Sequence, residues 1–240
     1  RSHHQIQVKN MPIKLSIATR ITALGMPNFL LQLGNSVLNV VLNMTLLSYG
    51  GDIAVSGMGI VNSIQTILLM PITGLVQGAQ PIVSFNFGAK KFQRVRETQK
   101  YAITIATIIV LLGWLATRFM PEQLVRLFNN EPELLAFGAK ALQTWFLFLP
   151  VIGFQIVASN FFQATGRTRS AIFLTLTRQI ILLIPAILLF SQTWGMDGLL
   201  HAAPFADACA ALLTGVFYIG GIKRLAREES NLKELNYEAE

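Results

Sequence analysis

Residues 21–47 read ITALGMPNFLLQLGNSVLNVVLNMTLL, and the character of this stretch decides the fold. No charged residue occurs between Arg20 and Asp52, and none between Asp52 and Lys90. A helix needs about 20 mostly apolar residues to cross a hydrocarbon core of roughly 30 Å, so each interval holds one crossing. Lipid offers no water to backbone N–H and C=O groups, which leaves only helices or a closed barrel. Barrel strands alternate apolar and polar residues. Runs such as Ile108-Ile109-Val110-Leu111-Leu112 do not alternate, so the crossings are helices.

The rest of the chain extends this pattern. Of its 240 residues 52% are hydrophobic and only 13% charged, against about 25% charged in a soluble domain, so it cannot clothe itself for water. Apolar runs over 21–47, 53–83, 101–117, 134–164, 170–190 and 199–222 predict an all-α integral membrane bundle of six transmembrane helices. The third run is short, and Lys100 and Arg118 at its ends can snorkel to the interfaces. If the connections are placed alternately on two sides, 15 Lys and Arg fall on one side and three on the other. Basic loops mark the cytoplasmic side, so a multi-pass protein with both termini in the cytoplasm is expected. The same distribution explains the net charge of +7 without nucleic acid, because the basic residues punctuate apolar blocks and form no single patch. Residues 1–20 read as a cytoplasmic linker with a surface helix over 11–19, 21–225 as the membrane unit, and 226–240 as a polar tail that frays. The opening Arg1-Ser2-His3-His4 reads as the start of a piece of something longer.

Gly50-Gly51-Asp52 and Gly195-Met196-Asp197-Gly198 are turn sequences on the side poor in basic residues. Residues 121–140 form a longer connection in which Leu124, Leu127 and Phe128 fall at helical spacing and predict a short surface helix.

Polar residues inside spans tend to face the bundle interior or water. Asn28, Gln32, Asn35, Asn39 and Asn43 share an arc of roughly 80° at about 100° per residue. Such a strip of carboxamides offers donors and acceptors without charge and fits a hydrated wall for varied ligands; helix–helix hydrogen bonding is the plainer alternative. Gln65 in the second span, and Gln155 and Ser159 (with Gln163) in the fourth, extend the candidate cavity. Pro71 with Gly74, and Pro150 with Gly153, repeat one spacing and are candidate hinges, or static kinks. Arg178 and Asp207 are charges within the fifth and sixth spans at similar depth. They either pair, in which case Asp207 stays ionised and structural, or each finds water separately and Asp207 is open to a proton or a coupling ion. No phosphate-binding loop, nucleophile elbow or metal-ligand cluster occurs, so no catalytic residue, metal site or cofactor is assigned, and an enzyme is not expected.

Several of these residues lie in a familiar order. Gly25-Met26-Pro27, then Tyr49-Gly50-Gly51-Asp52-Ile53-Ala54, then Pro71-Ile72-Thr73-Gly74-Leu75-Val76-Gln77-Gly78-Ala79-Gln80-Pro81 with Asn86-Phe87-Gly88-Ala89-Lys90 and Arg94, resemble the second half of the MATE (multidrug and toxic compound extrusion) family. Gln163-Ala164-Thr165-Gly166, Arg178-Gln179 with Pro185, and Pro204-Phe205-Ala206-Asp207 continue the resemblance. It implies one lobe of a twelve-helix transporter of the bacterial plasma (inner) membrane. The partners it implies are membrane lipids, small-molecule drugs and the missing N-terminal six-helix lobe. The activity it implies is antiport of lipophilic or cationic drugs against H⁺ or Na⁺. The sodium-coupled branch carries Glu where this chain has Asn35 and an Asp on a fourth helix that here has no acid, so the resemblance is closer to members whose coupling carboxylate sits in the first lobe. A lipid-linked oligosaccharide flippase of the same superfamily and a non-transporting partner lobe are the alternatives.

The charge pattern makes a testable statement. After removal of Cys209, an impermeant thiol reagent applied outside the cell should label Glu131→Cys and leave Gln93→Cys unlabelled; external labelling of position 93 reverses the orientation.

Overall fold

The computed structural model describes residues 15–238, all but the loops helical. His3, His4 and the first part of the expected surface helix lie outside the described residues. The helices are α1 (Leu15–Gly88), α2 (Phe92–Phe119), α3 (Pro121–Arg126), α4 (Pro132–Trp145), α5 (Leu149–Ala164), α6 (Thr168–Leu176), a π-helical segment (Thr177–Leu183) and α7 (Ile184–Glu238).

The two longest helices each double back. The backbone leaves helical geometry at Gly51 (φ 62°, ψ −158°) in α1 and at Gly195 (φ 59°, ψ −135°) in α7. Both are left-handed conformations that glycine adopts without a Cβ penalty. In α7, Phe190 and Phe205 meet edge to face with ring centroids 5.3 Å apart, although 15 residues of straight helix would part them by about 22 Å. In α1, Asn35 bonds to Gln179 while Gln65 borders the same cavity as Arg178; a straight helix would hold Asn35 and Gln65 about 45 Å apart. Each of α1 and α7 with the segment before it therefore supplies two crossings. The long α2 supplies one, and α4 with α5 form one crossing bent by 55°. The total is six, with turns at the two glycine sequences.

The bend between α4 and α5 has a local cause. Pro150 has no N–H to offer the carbonyl one turn earlier, and the carbonyl of Phe146 accepts from Leu149 N instead, at 3.1 Å. The free carbonyl of Leu147 accepts from Trp114 Nε1 at 3.3 Å. The π-helical segment is explained the same way: Pro185 follows it, and a wider i→i+5 turn relieves the proline ring.

Lipid gives helices no hydrophobic reason to associate, so close van der Waals packing and polar contacts hold them. A Cβ on Gly153 would stand 3.2 Å from the Ala106 carbonyl oxygen and 2.8 Å from Val110 Cγ2, so α5 and α2 touch there almost backbone to backbone. One core runs through Leu46, Met58, Val61, Ile72, Leu142, Leu149 and Ile187. A second, around Val83, Val95, Phe161 and Leu225, lies toward the chain's basic end.

The structure adds detail to two expectations. The short surface helix ends at Arg126. Its anchor is Val125, fully buried against Gly138, while Leu127 and Phe128 are exposed. The polar tail is helical as far as Glu238, and at its start Glu229 meets Arg96 at 2.7 Å, while Glu228 lies 3.1 Å from Arg224 and 4.0 Å from Arg167. Burial, and after it the adjacent Arg224, push Arg167 below the ordinary arginine value, while Glu228 pulls it back. The last helix thereby ties together the loops on its side.

Overpacking a tight contact costs about 1–3 kcal/mol. Gly153→Val should lower the thermal midpoint of the purified chain, and Gly78→Ala, which meets nothing within 4 Å, should not. Equal midpoints for the two would contradict the backbone-close contact of α5 and α2.

Candidate functional site

The polar chemistry of the spans gathers around Arg178 and Asp207. The π-helical segment carries Arg178, and Asp207 sits on α7 beyond its turn. Arg178 Nε donates to Asp207 Oδ1 at 2.6 Å, with the carboxylate 3% and the guanidinium side chain 26% exposed. From α5, Gln155 Nε2 donates to the backbone carbonyl of Asp207 at 2.8 Å. Next along the chain from Arg178, Gln179 Nε2 donates to Asn35 Oδ1 at 2.7 Å. A single polar node thus joins the first leg of α1, α5, the π-helical segment and the last leg of α7.

Beside this node lies a cavity of about 290 Å³, with Gln65, Gln155, Ser159, Asn160, Gln163 and Arg178 on its wall. It collects Gln65, Gln155 and Ser159 of the candidates. Asn160 was missed by sequence reasoning. It lies off the stripe of Gln155, Ser159 and Gln163, yet it is buried and its Nδ2 donates to Gln80 Oε1 at 3.3 Å. The signal was present, since Asn160 is one more carboxamide in an apolar span, but its spacing concealed it. Gln179 escaped similarly, because the π-helical turn that sets its direction leaves no mark in the residue pattern.

The carboxamide strip of the first leg lies elsewhere. Gln32, Asn39 and Asn43 are exposed and Asn35 is half-buried; the side chain of Asn28 lies outside the described residues. Within the strip Asn35 Nδ2 donates to Gln32 Oε1 at 3.1 Å, and Asn39 Nδ2 to the Asn35 carbonyl at 2.9 Å. At about 100° per residue the buried side of this leg, around Gly34, Leu38, Leu42 and Leu46, gives way to the strip, and the strip to exposed Leu33, Val37, Val40 and Met44. The second leg has the same order: beside its buried face comes an exposed band of Asn62, Thr66, Thr73 and Gln77, then exposed Ile67, Ile82 and Phe85. Both legs therefore carry an unsealed polar flank between core and apolar surface.

The candidate hinges occupy unlike places. Backbone dihedrals stay helical through Pro71 and Gly74, both exposed, and nothing approaches a Cβ on Gly74. Pro150 follows the 55° bend directly, and Gly153 is the tight contact with α2.

Cavity and flank offer amide and hydroxyl groups in quantity. Arg178, the cation on the cavity wall, already faces a carboxylate. A six-crossing bundle with a polar node inside it and a polar flank left open defines a polytopic membrane protein. The chain belongs to the MatE family, which it matches over residues 27–188. It is 23% identical over 228 residues, 95% of its length and 50% of the relative's, to the multidrug export protein MepA of Staphylococcus haemolyticus. It is 25% identical over 202 residues, 82% of its length and 43% of the relative's, to an FAD transporter of Shewanella oneidensis. Among solved structures, the MATE multidrug transporter DinF-BH aligns with a TM-score of 0.75 at 34% identity, over 88% of this chain and 48% of that one. The chain spans about half the length of the curated relatives it matches.

Removing one partner of a buried ion pair costs about 3–5 kcal/mol; with Arg178 a quarter exposed, the lower end applies. Arg178→Gln and Asp207→Asn should each reduce the yield of folded chain, and Arg178→Asp combined with Asp207→Arg should recover part of it. Undiminished folding of Asp207→Asn would show that the pair does not hold these helices together.

Proposed function

We propose that this chain is the second lobe of a multidrug exporter, working with a first lobe of six helices to exchange lipophilic, cationic drugs for H⁺ or Na⁺. The observation that carries this reading is the open polar flank on both legs of α1. The exposed carboxamides Asn62 and Gln77 on the second leg and Gln32, Asn39 and Asn43 on the first would be costly against lipid, and they fit a water-filled space shared with another lobe. The similar proteins, a multidrug export protein and an FAD transporter, point the same way.

The wall chemistry favours particular solutes. Amide and hydroxyl groups can hydrogen-bond ligands of many shapes, and apolar neighbours such as Leu69, Val76 and Ile156 accept flat hydrophobic faces. Arg178, the cation on the cavity wall, is opposed by Asp207, so neutral and cationic solutes are favoured over polyanions. For the same reason a lipid-linked pyrophosphate has little to hold it. Asp207 is the only acid within a span and is engaged by Arg178, which leaves the coupling carboxylate to the other lobe. The 55° bend before Pro150 and the pliable Pro71–Gly74 region are where the lobe would flex between access states. Both termini are assigned to the cytoplasmic side of the plasma membrane.

The test is reconstitution. Proteoliposomes holding this chain joined to its first lobe should take up a lipophilic cation against an imposed H⁺ or Na⁺ gradient, and those holding this chain alone should not. Asn39→Leu with Asn43→Leu in the joined protein should reduce transport of some drugs severalfold at unchanged expression, whereas Val40→Leu should leave it unchanged. Undiminished transport across a broad panel would remove the flank from the pathway, and transport of FAD in preference to cations would overturn the assigned substrate class.

A further inference from the structure

A second concavity lies on the far side of the last helix. It measures about 580 Å³, and every residue lining it is apolar. Phe148 and Phe154 of the bent fourth crossing form one wall; Leu212, Val216 and Ile219 of α7 form the other, with Gly215 leaving the floor open. The three aliphatic residues are 74%, 69% and 56% exposed. Their side of α7 is turned about 150° away from Ala210 and Thr214, which border the polar cavity. The groove is therefore separate from the proposed drug pathway.

Its length and its ending identify the occupant. From Ala208 to Ile219 the helix rises about 16 Å, close to half of a hydrocarbon core of roughly 30 Å. One end lies near the buried ion pair of Asp207. At the other end, one turn past Ile219, a smaller hollow of about 330 Å³ is lined by Gly220, Lys223, Arg224 and Arg227. Leu212, Val216, Ile219, Lys223 and Arg227 fall within roughly 80° of arc, so the apolar row runs on into the basic one. Arg224 is held by Glu228 at 3.1 Å. Lys223 and Arg227 are exposed and have no ion-pair partner among the described residues. An apolar trough one leaflet long, ending in two exposed cations at the depth of the headgroups, matches an acyl chain below a phosphate.

We propose that this groove is a binding site for one anionic phospholipid of the leaflet bordering the basic loops, with an acyl chain between α5 and α7 and its phosphate held by Lys223 and Arg227. Basic clusters where a span leaves the membrane attract anionic headgroups, each residue contributing roughly fivefold in affinity. Because α5 carries the bend and α7 carries Asp207, a lipid seated here would brace the two crossings that the polar node ties together.

The experiment uses the purified chain in neutral detergent with equimolar phosphatidylglycerol and phosphatidylcholine of the same acyl chains, retained lipid being counted by native mass spectrometry. Phosphatidylglycerol should be retained at least fivefold over phosphatidylcholine. Lys223→Gln with Arg227→Gln should bring the two to parity, with the thermal midpoint in phosphatidylcholine micelles unchanged. Lys90→Gln with Lys91→Gln, an equal change of net charge at another loop, should preserve the preference. Millimolar inorganic phosphate should fail to displace the lipid, because it lacks the chain that fills the groove. Equal retention of the two lipids by the unaltered chain, an equal loss in the Lys90/Lys91 variant, or complete displacement by phosphate would each overturn the proposal.

Discussion

The bundle depends on the contact of Arg178 with Asp207. A charge in the membrane interior is costly alone, and the cost falls when an opposite charge and hydrogen-bonding neighbours surround it. Here the carboxylate is almost wholly enclosed and lies 2.6 Å from the guanidinium, and Gln155 secures the backbone carbonyl of the same aspartate. The fifth and sixth crossings are therefore fixed in register to each other and to the fourth. Through Gln179 and Asn35 the first crossing joins them. Hydrophobic association cannot supply this registry, since lipid tails solvate an aliphatic face as well as another helix does.

Around this node the lobe is unevenly finished. Toward the core it is sealed by close contacts such as Gly153 against Ala106. On the flank of α1 it is polar and open, and on the far side of α7 it is apolar and grooved. A self-sufficient bundle would turn its amides inward. Gln32, Asn39, Asn43 and Asn62 are instead exposed, which fits the proposed water-filled space shared with another lobe. The open flank, the match to about half of each relative and the family assignment all describe the same half-structure.

The reading from residues was strongest where physics acts locally. The two glycine turns were legible because the flanking runs are long enough to span and Gly51 and Gly195 can adopt positive φ where other residues resist it. The carboxamide strip was legible because a helix converts steps of three and four into one face. The bend before Pro150 was half legible: a proline announces that a donor is missing, but whether the helix absorbs the defect, as at Pro71, or breaks, as after Trp145, depends on which groups satisfy the carbonyls around it, here Leu149 N for Phe146 and the indole of Trp114 for Leu147. The partners of Glu229 and Glu228 at the start of the polar tail, Arg96 and Arg167, were not legible because they lie far away in sequence.

By itself the sequence determined the class of the molecule: a chain too apolar for water, six lengths that match a bilayer, basic loops on one side, and an order of motifs that belongs to one family. These follow from transfer energetics and helical geometry, which act along the chain. Only the tertiary structure decided which polar groups meet. Gln65, Gln155, Ser159 and Asn160 share one cavity while the strip of Gln32, Asn39 and Asn43 stays outside it, and Arg178 reaches Asp207 through a π-helical turn that no periodicity encodes. Side-chain direction and helix register are set by packing between distant segments, and a one-dimensional pattern carries no record of which faces were brought together.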